Sequence, residues 1–75
     1  MEKFLIYKKE NETNKRFIYS IGRGSCNTSG DMGDAIEFND KEIALMLAKS
    51  LSKRDRENYR VLSITTTIEE VMEEN

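Results

Sequence analysis

The chain contains no histidine and no proline, and its 75 residues include a single cysteine, Cys26. Without histidine there is no zinc finger of the usual ligand set, no His-based catalytic triad and no imidazole pH switch. One cysteine closes no intrachain disulfide and builds no metal cluster. No apolar run approaches the ~20 residues of a membrane-spanning helix. The apolar stretch near the start runs only from Phe4 to Tyr7, too short for the core of a signal peptide, and no small-residue cleavage site follows it. The expected location is therefore cytoplasmic, with no membrane involvement.

What is present describes one small soluble domain spanning residues 1–75. Hydrophobic residues make up 37% and charged residues 35%, which suits an ordered chain with a thin core rather than a disordered one. A chain of this length buries only about 60% of the surface that its unfolded form exposes, so its core is marginal. Net charge is −2, unevenly spread. The segment from Lys49 to Arg60 holds Lys49, Lys53, Arg54, Arg56 and Arg60 against Asp55 and Glu57, whereas residues 69–75 form an acidic tail with Glu69, Glu70, Glu73 and Glu74.

The pattern predicts an α+β fold of order β-β-α-β. Lys3–Lys9 (KFLIYKK) and Arg16–Ile21 (RFIYSI) are rich in aromatic and β-branched residues and read as a hairpin across the polar turn Glu10–Asn14. Ala35–Phe38 reads as a short extended piece. Asn39 and Glu42 have the spacing of a capping box, with Phe38 and Ile43 at the positions of a hydrophobic staple. They predict a helix over Asp40–Arg54 that buries Ile43, Ala44, Leu47 and Leu51, flanked by Met46 and Ala48. Asn58 is placed to end the connection in a left-handed conformation. Tyr59–Ile68 reads as the third strand. The expected architecture is a three-stranded antiparallel sheet, order 2-1-3, with one helix packed on one face.

One helix covers only one face of such a sheet. By alternation Phe17, Tyr19, Ile21, Leu62 and Ile64 are expected under the helix. Ile18, Val61 and one pair from the first strand are expected on the open face, which reads as an interface. Its simplest form is a homodimer through this face or through edge strands.

The longest polar stretch is the loop Gly22–Asp34 (GRGSCNTSGDMGD), which holds all four glycines and Cys26. A loop of this length in so small a protein is either mobile or functional. Gly22, Arg23, Gly24 and Ser25 are a candidate phosphate nest, making a small phosphate-ligand module an alternative reading. However, the stretch matches neither GxxxxGK[ST] nor GxGxxG. Asp31 and Asp34 lack the ligand alternation of a calcium loop and read as turn formers, so no metal site is expected. Cys26 has no histidine to act as its base, so no catalytic residue is assigned and the chain is read as a non-enzyme that needs no cofactor. The cluster 49–60, with Tyr59 available to stack a base, is the nucleic-acid alternative. Net acidity argues against nucleic acid as the main ligand.

From Ala35 to Thr67 the chain reads AIEFNDKEIALMLAKSLSKRDRENYRVLSITTT. An aromatic residue precedes a capped D/E-K-E-x-A helix, and a Tyr-initiated strand rich in Val, Ile and Thr follows. This pattern, over roughly half the chain, resembles small β-β-α-β accessory proteins encoded by phages and prophages. The resemblance implies a non-enzymatic protein that binds a host protein as an inhibitor or adaptor, anti-CRISPR-like inhibitors being one such kind. It carries no functional residues with it. The expected partner-binding residues, taken from the loop and the open face, are Arg23, Gly24, Ser25, Asp31, Ile18 and Val61, with Arg23 as the principal anchor.

Overall fold

The computed structural model describes residues 2–65. Its elements are β1 (Glu2–Lys9), β2 (Lys15–Ile21), β3 (Cys26–Ser29), a 3-10 turn (Met32–Asp34), α1 (Lys41–Asp55) and β4 (Arg60–Thr65). The fold is α+β, with one helix and an antiparallel sheet of four strands in the order β3-β2-β1-β4. The three expected strands take their expected order as β2-β1-β4. The fourth comes from inside the Gly22–Asp34 loop, where Cys26–Ser29 pairs antiparallel with β2. Residues 66–68, expected to continue the last strand, and the acidic tail 69–75 lie outside the described residues.

The β1–β2 turn is closed by Asn11, whose Oδ1 accepts from the backbone N–H groups of Thr13 and Asn14 and from the Thr13 hydroxyl. β1 pairs with β2 only from Tyr7 to Lys9, then the two strands part. The expected extended piece fills the fork. Ile36 N–H donates to the Ile18 carbonyl at 3.0 Å, and Phe38 and Phe4 exchange two backbone bonds at 2.8 and 2.9 Å. Phe38 is thus held extended, and the helix starts one residue later than the capping pattern placed it. Asp40 is the N-cap, its Oδ1 accepting from the N–H groups of Glu42 (2.8 Å) and Ile43 (3.3 Å). Asn39 and Phe38 therefore do not form the expected box and staple, and Ile43 points outward at 52% exposed. At the other end Arg56, not Asn58, takes the left-handed conformation (φ 56°, ψ 42°).

The buried positions of α1 are Ala44, Ala48 and Leu51, at i, i+4 and i+7. Ala48 and Leu51 pack on Ile6, Ile18 and Tyr59, with Val61, Leu47, Cys26, Ile36 and Phe38 around them. This inverts the expected faces: Ile18, 1% exposed, and half-buried Val61 lie beneath the helix rather than on an open surface. Alternation itself holds at Phe17 and Ile18 and along β4. The difference is that the helix covers the face carrying Ile6, Ile18 and Val61 and not the one carrying Phe17, Leu62 and Ile64, while Tyr19 and Ile21, beyond a bulge at Ile18–Ser20, are exposed.

The second face is not open either. Leu5, Tyr7 and Phe17 form their own cluster with Ala35, Leu62 and Ile64. The segment following β3 lies along this side, with Met32, Gly33 and Glu37 bordering a groove over Leu5 and Ile64. The polar loop thus supplies a strand to the sheet edge and a cover for the face that one helix cannot reach. Leu5 is consequently 1% exposed although no helix touches that side.

Candidate protein-binding surface

The loop contributes to the fold through a tight turn and two caps. The β2–β3 turn spans Gly22–Ser25, closed by Gly22 N–H donating to the Ser25 carbonyl at 2.9 Å. A Cβ on Gly22 would stand 2.8 Å from the Ser25 carbonyl oxygen, so the close approach demands glycine there. Arg23, Gly24 and Ser25 are exposed at the tip of this hairpin. Asp31 is not beside them. It caps the 3-10 turn, accepting from Gly33 N–H at 2.8 Å, and Asp34 accepts from the Ser29 hydroxyl at 2.8 Å. Both carboxylates are engaged as local caps. The described residues contain no group of three or more His, Cys, Asp or Glu side chains arranged to hold a metal.

Arg54 ties the hairpin to α1. It donates to the Gly22 carbonyl (2.7 Å), approaches the Cys26 thiol (3.5 Å) and grips Asp55 through Nε (2.6 Å) and an Nη (3.3 Å). Asp55, with a side chain 6% exposed, also accepts from the Tyr59 hydroxyl at 2.9 Å. The Arg54 guanidinium holds the Asp55 carboxyl below its ordinary range against the opposing effect of burial, with Tyr59 helping. Burial pushes the Cys26 thiol up, and Asp55 pushes it further, outweighing the Arg54 charge. Burial and the bond to Asp55 likewise raise the Tyr59 phenol. A thiol with a raised pKa is protonated at neutral pH and is a poor nucleophile. The only cysteine thus sits in a structural cluster whose electrostatics oppose thiolate chemistry.

The same arrangement divides the basic segment 49–60. Arg54 is engaged with Asp55 and Gly22, while Lys49 and Lys53 are exposed at i and i+4 on α1, Arg56 at its C-cap and Arg60 at the start of β4.

The feature absent from the sequence reading is apolar and lies on α1. Ile43 and Met46, at i and i+3, are 52% and 65% exposed, and half-buried Leu47 adjoins them at i+4 from Ile43. Continuing along that flank, positions 43, 47, 50 and 54 share one side of the helix, and Arg54 is the residue that reaches Gly22. The flank therefore leads from Ile43 and Met46 to the hairpin tip carrying Arg23. Sequence periodicity missed it because Ile43 and Leu47 fit a buried stripe equally well. The available signal was Ala44 and Ala48, whose small side chains let the helix approach the sheet closely.

No family model, curated protein or solved structure matches this chain. Among the described residues no helix is long and apolar enough to cross a membrane.

Proposed function

We propose that the protein is a non-catalytic binding module that engages another protein through the outer flank of α1 and the adjoining β2–β3 hairpin tip. The observation that carries this reading is the exposed pair Ile43 and Met46 on a helix whose opposite side already fills the core. Large apolar side chains left in water, about 12–16 Å by helical rise from the end of α1 that meets the hairpin carrying exposed Arg23, have the composition of an interface core with a hot-spot rim. Arg23, Lys53 and Arg56 are exposed toward the hairpin end of the helix, which favours a partner whose apolar patch is bordered by carboxylates. The resemblance of Ala35–Thr67 to phage and prophage accessory proteins makes a bacterial host protein the natural partner and inhibition or adaptor action the natural role. Ile18 and Val61 leave this proposal because they hold the helix to the sheet, and Asp31 leaves it as a cap.

The test is affinity capture from a nuclease-treated bacterial lysate, read by mass spectrometry, with wild type beside Ile43→Glu/Met46→Glu and Arg23→Ala. The reading requires one stoichiometric protein that is lost with the double variant and weakened with Arg23→Ala. Equal recovery with all three proteins would place the contact elsewhere.

A further inference from the structure

We infer that the free edge of β4 is a self-association surface, and that a second copy of this chain pairs with it antiparallel across a two-fold axis centred on Ser63. This inference does not depend on the proposed function, which uses the opposite side of α1.

The two edges of the sheet differ. β3 has four residues and meets β2 through a bulge, both of which blunt an edge. β4 has six residues, RVLSIT, with neither proline nor lysine, and it pairs with β1 in unbroken register from Arg60 to Thr65. Among the described residues nothing pairs with its outer side. An unblunted, β-branched edge of this kind is a template for another strand.

The direction of its backbone groups follows from the bridge on the far side of β1. Phe4 spends both its N–H and its carbonyl on Phe38, so neither points at β4. Phe4↔Ser63 is therefore a non-hydrogen-bonded pair, and the N–H and carbonyl of Ser63 face outward from the sheet. By alternation Val61 and Thr65 face outward as well. Only a register centred on Ser63 uses all three residues in both copies: Ser63 opposite Ser63, and Val61 opposite Thr65, each pair exchanging two hydrogen bonds. That register sets Leu62 of one copy against Ile64 of the other, apolar against apolar on one face of the joined sheet.

Side chains and charge agree with the symmetry. On the helix side, Leu45 and Val61 line an apolar groove between α1 and β4, with Lys49 and Arg60 at its border. At the other end of β4, Glu2 and Asp40 stand beside Thr65 together with Lys41, so that two carboxylates outnumber one ammonium there. A two-fold antiparallel arrangement carries the basic end of each copy to the acidic end of the other, the complementarity that a second copy supplies by construction.

The experiment is sedimentation equilibrium on the full chain, wild type beside Ser63→Pro and Ser63→Ala, with circular dichroism as a check on folding. Wild type is expected at about twice its 8.7 kDa chain mass. Ser63→Pro, which removes an outward N–H that β1 does not use, is expected to be a folded monomer. Ser63→Ala, which loses the hydroxyl bond to Glu2 but keeps that N–H, is expected to remain a dimer. A second arm keeps the test decisive if the proline variant does not fold. In a Cys26→Ser background, Ser63→Cys should oxidise to a linked dimer, because facing residues in a hydrogen-bonded pair lie about 5.5 Å apart at Cα, within disulfide range. Leu62→Cys in the same background should not. A monomeric wild type would overturn the inference, as would a dimer that survives Ser63→Pro or links through Leu62→Cys in preference to Ser63→Cys. A monomer that dimerises only when residues 69–75 are removed would also overturn it, by making the chain's own acidic segment the occupant of that edge.

Discussion

Arg54, in the last turn of α1, donates to the backbone carbonyl of Gly22 across 2.7 Å and 32 positions of sequence. This bond joins the helix to the β2–β3 turn, while the same guanidinium is clamped to Asp55 and Asp55 accepts from Tyr59. Replacing Arg54 with alanine strands the Asp55 carboxylate with Tyr59 as its remaining side-chain donor and frees the hairpin from the helix. Thermal melting should show a clear loss of stability. The double variant Arg54→Ala/Asp55→Ala should lose less than the sum of the two single changes, since the charge left uncompensated is gone. Strict additivity would mean that the two residues are not coupled.

The cluster also sets a pH profile. The Asp55 pKa is lowered from its ordinary 3.8, so its contribution is present above that value and is lost as pH falls below it. Cys26 and Tyr59 are raised from 9.0 and 10.0. Their contribution is full below those values and declines as pH climbs through the folded-state values. Stability against denaturant should therefore plateau through neutral pH and fall on both sides. Asp55→Asn should flatten the acid limb, and Cys26→Ser should push the start of the alkaline limb upward. A thiol-reactive probe should modify native Cys26 more slowly than a free thiol at pH 8.

Two glycines in one turn should respond oppositely to alanine. Gly22→Ala forces a Cβ to within 2.8 Å of the Ser25 carbonyl and should cost about 1–2 kcal/mol. A Cβ on Gly24 meets nothing within 4 Å and no positive φ is required there. Gly24→Ala should therefore stabilise by about 0.4–1 kcal/mol by restricting the unfolded chain. Chemical denaturation of the two variants checks the sign of each.

Arg56 is a non-glycine residue in the left-handed conformation that ends α1. Glycine adopts that conformation without the Cβ penalty, so Arg56→Gly should stabilise by about 0.5–1 kcal/mol. Arg56→Val should destabilise, because β-branching makes positive φ costlier.

Ile18 separates a core role from a surface role. At 1% exposed under the helix, Ile18→Ala should cost about 2–5 kcal/mol, enough to unfold much of a domain this small at modest temperature. A variant as stable as wild type would mean that Ile18 sits on a surface.

The elements were legible where local chemistry acts alone. The Phe4–Tyr7 and Phe17–Ile21 runs announced their strands, and Ile43, Ala44, Leu47 and Leu51 announced their helix, although the capping spacing pointed to Asn39 and not to Asp40, and only Ala44 and Leu51 of those four are buried. The order β2-β1-β4 followed from burying the most apolar strand. What the sequence did not disclose depended on contacts distant along the chain. Cys26–Ser29 has no strand signature of its own and becomes one by pairing with β2. The helix starts one residue later than its capping pattern suggested, with Phe38 held by Phe4, and Ile43 is exposed because the stripe Ala44, Ala48 and Leu51 packs on the sheet. Alternation separated Phe17 from Ile18 but carried no signal for which of the two faces the helix would cover. Of the expected binding residues, Arg23, Gly24 and Ser25 remain at the surface together, whereas Ile18, Val61 and Asp31 have structural tasks. Ile43 and Met46 were concealed because outward and inward apolar residues look alike until the helix phase is known.

The most direct measurement of the central claim is site-specific photo-crosslinking in bacterial lysate, with a benzophenone side chain installed in turn at Met46, at Arg23 and at Met32, which is exposed on the opposite face of the sheet. The proposed surface predicts the same covalent protein adduct from positions 46 and 23 and none from position 32. An adduct from position 32, with none from 46 or 23, would contradict it.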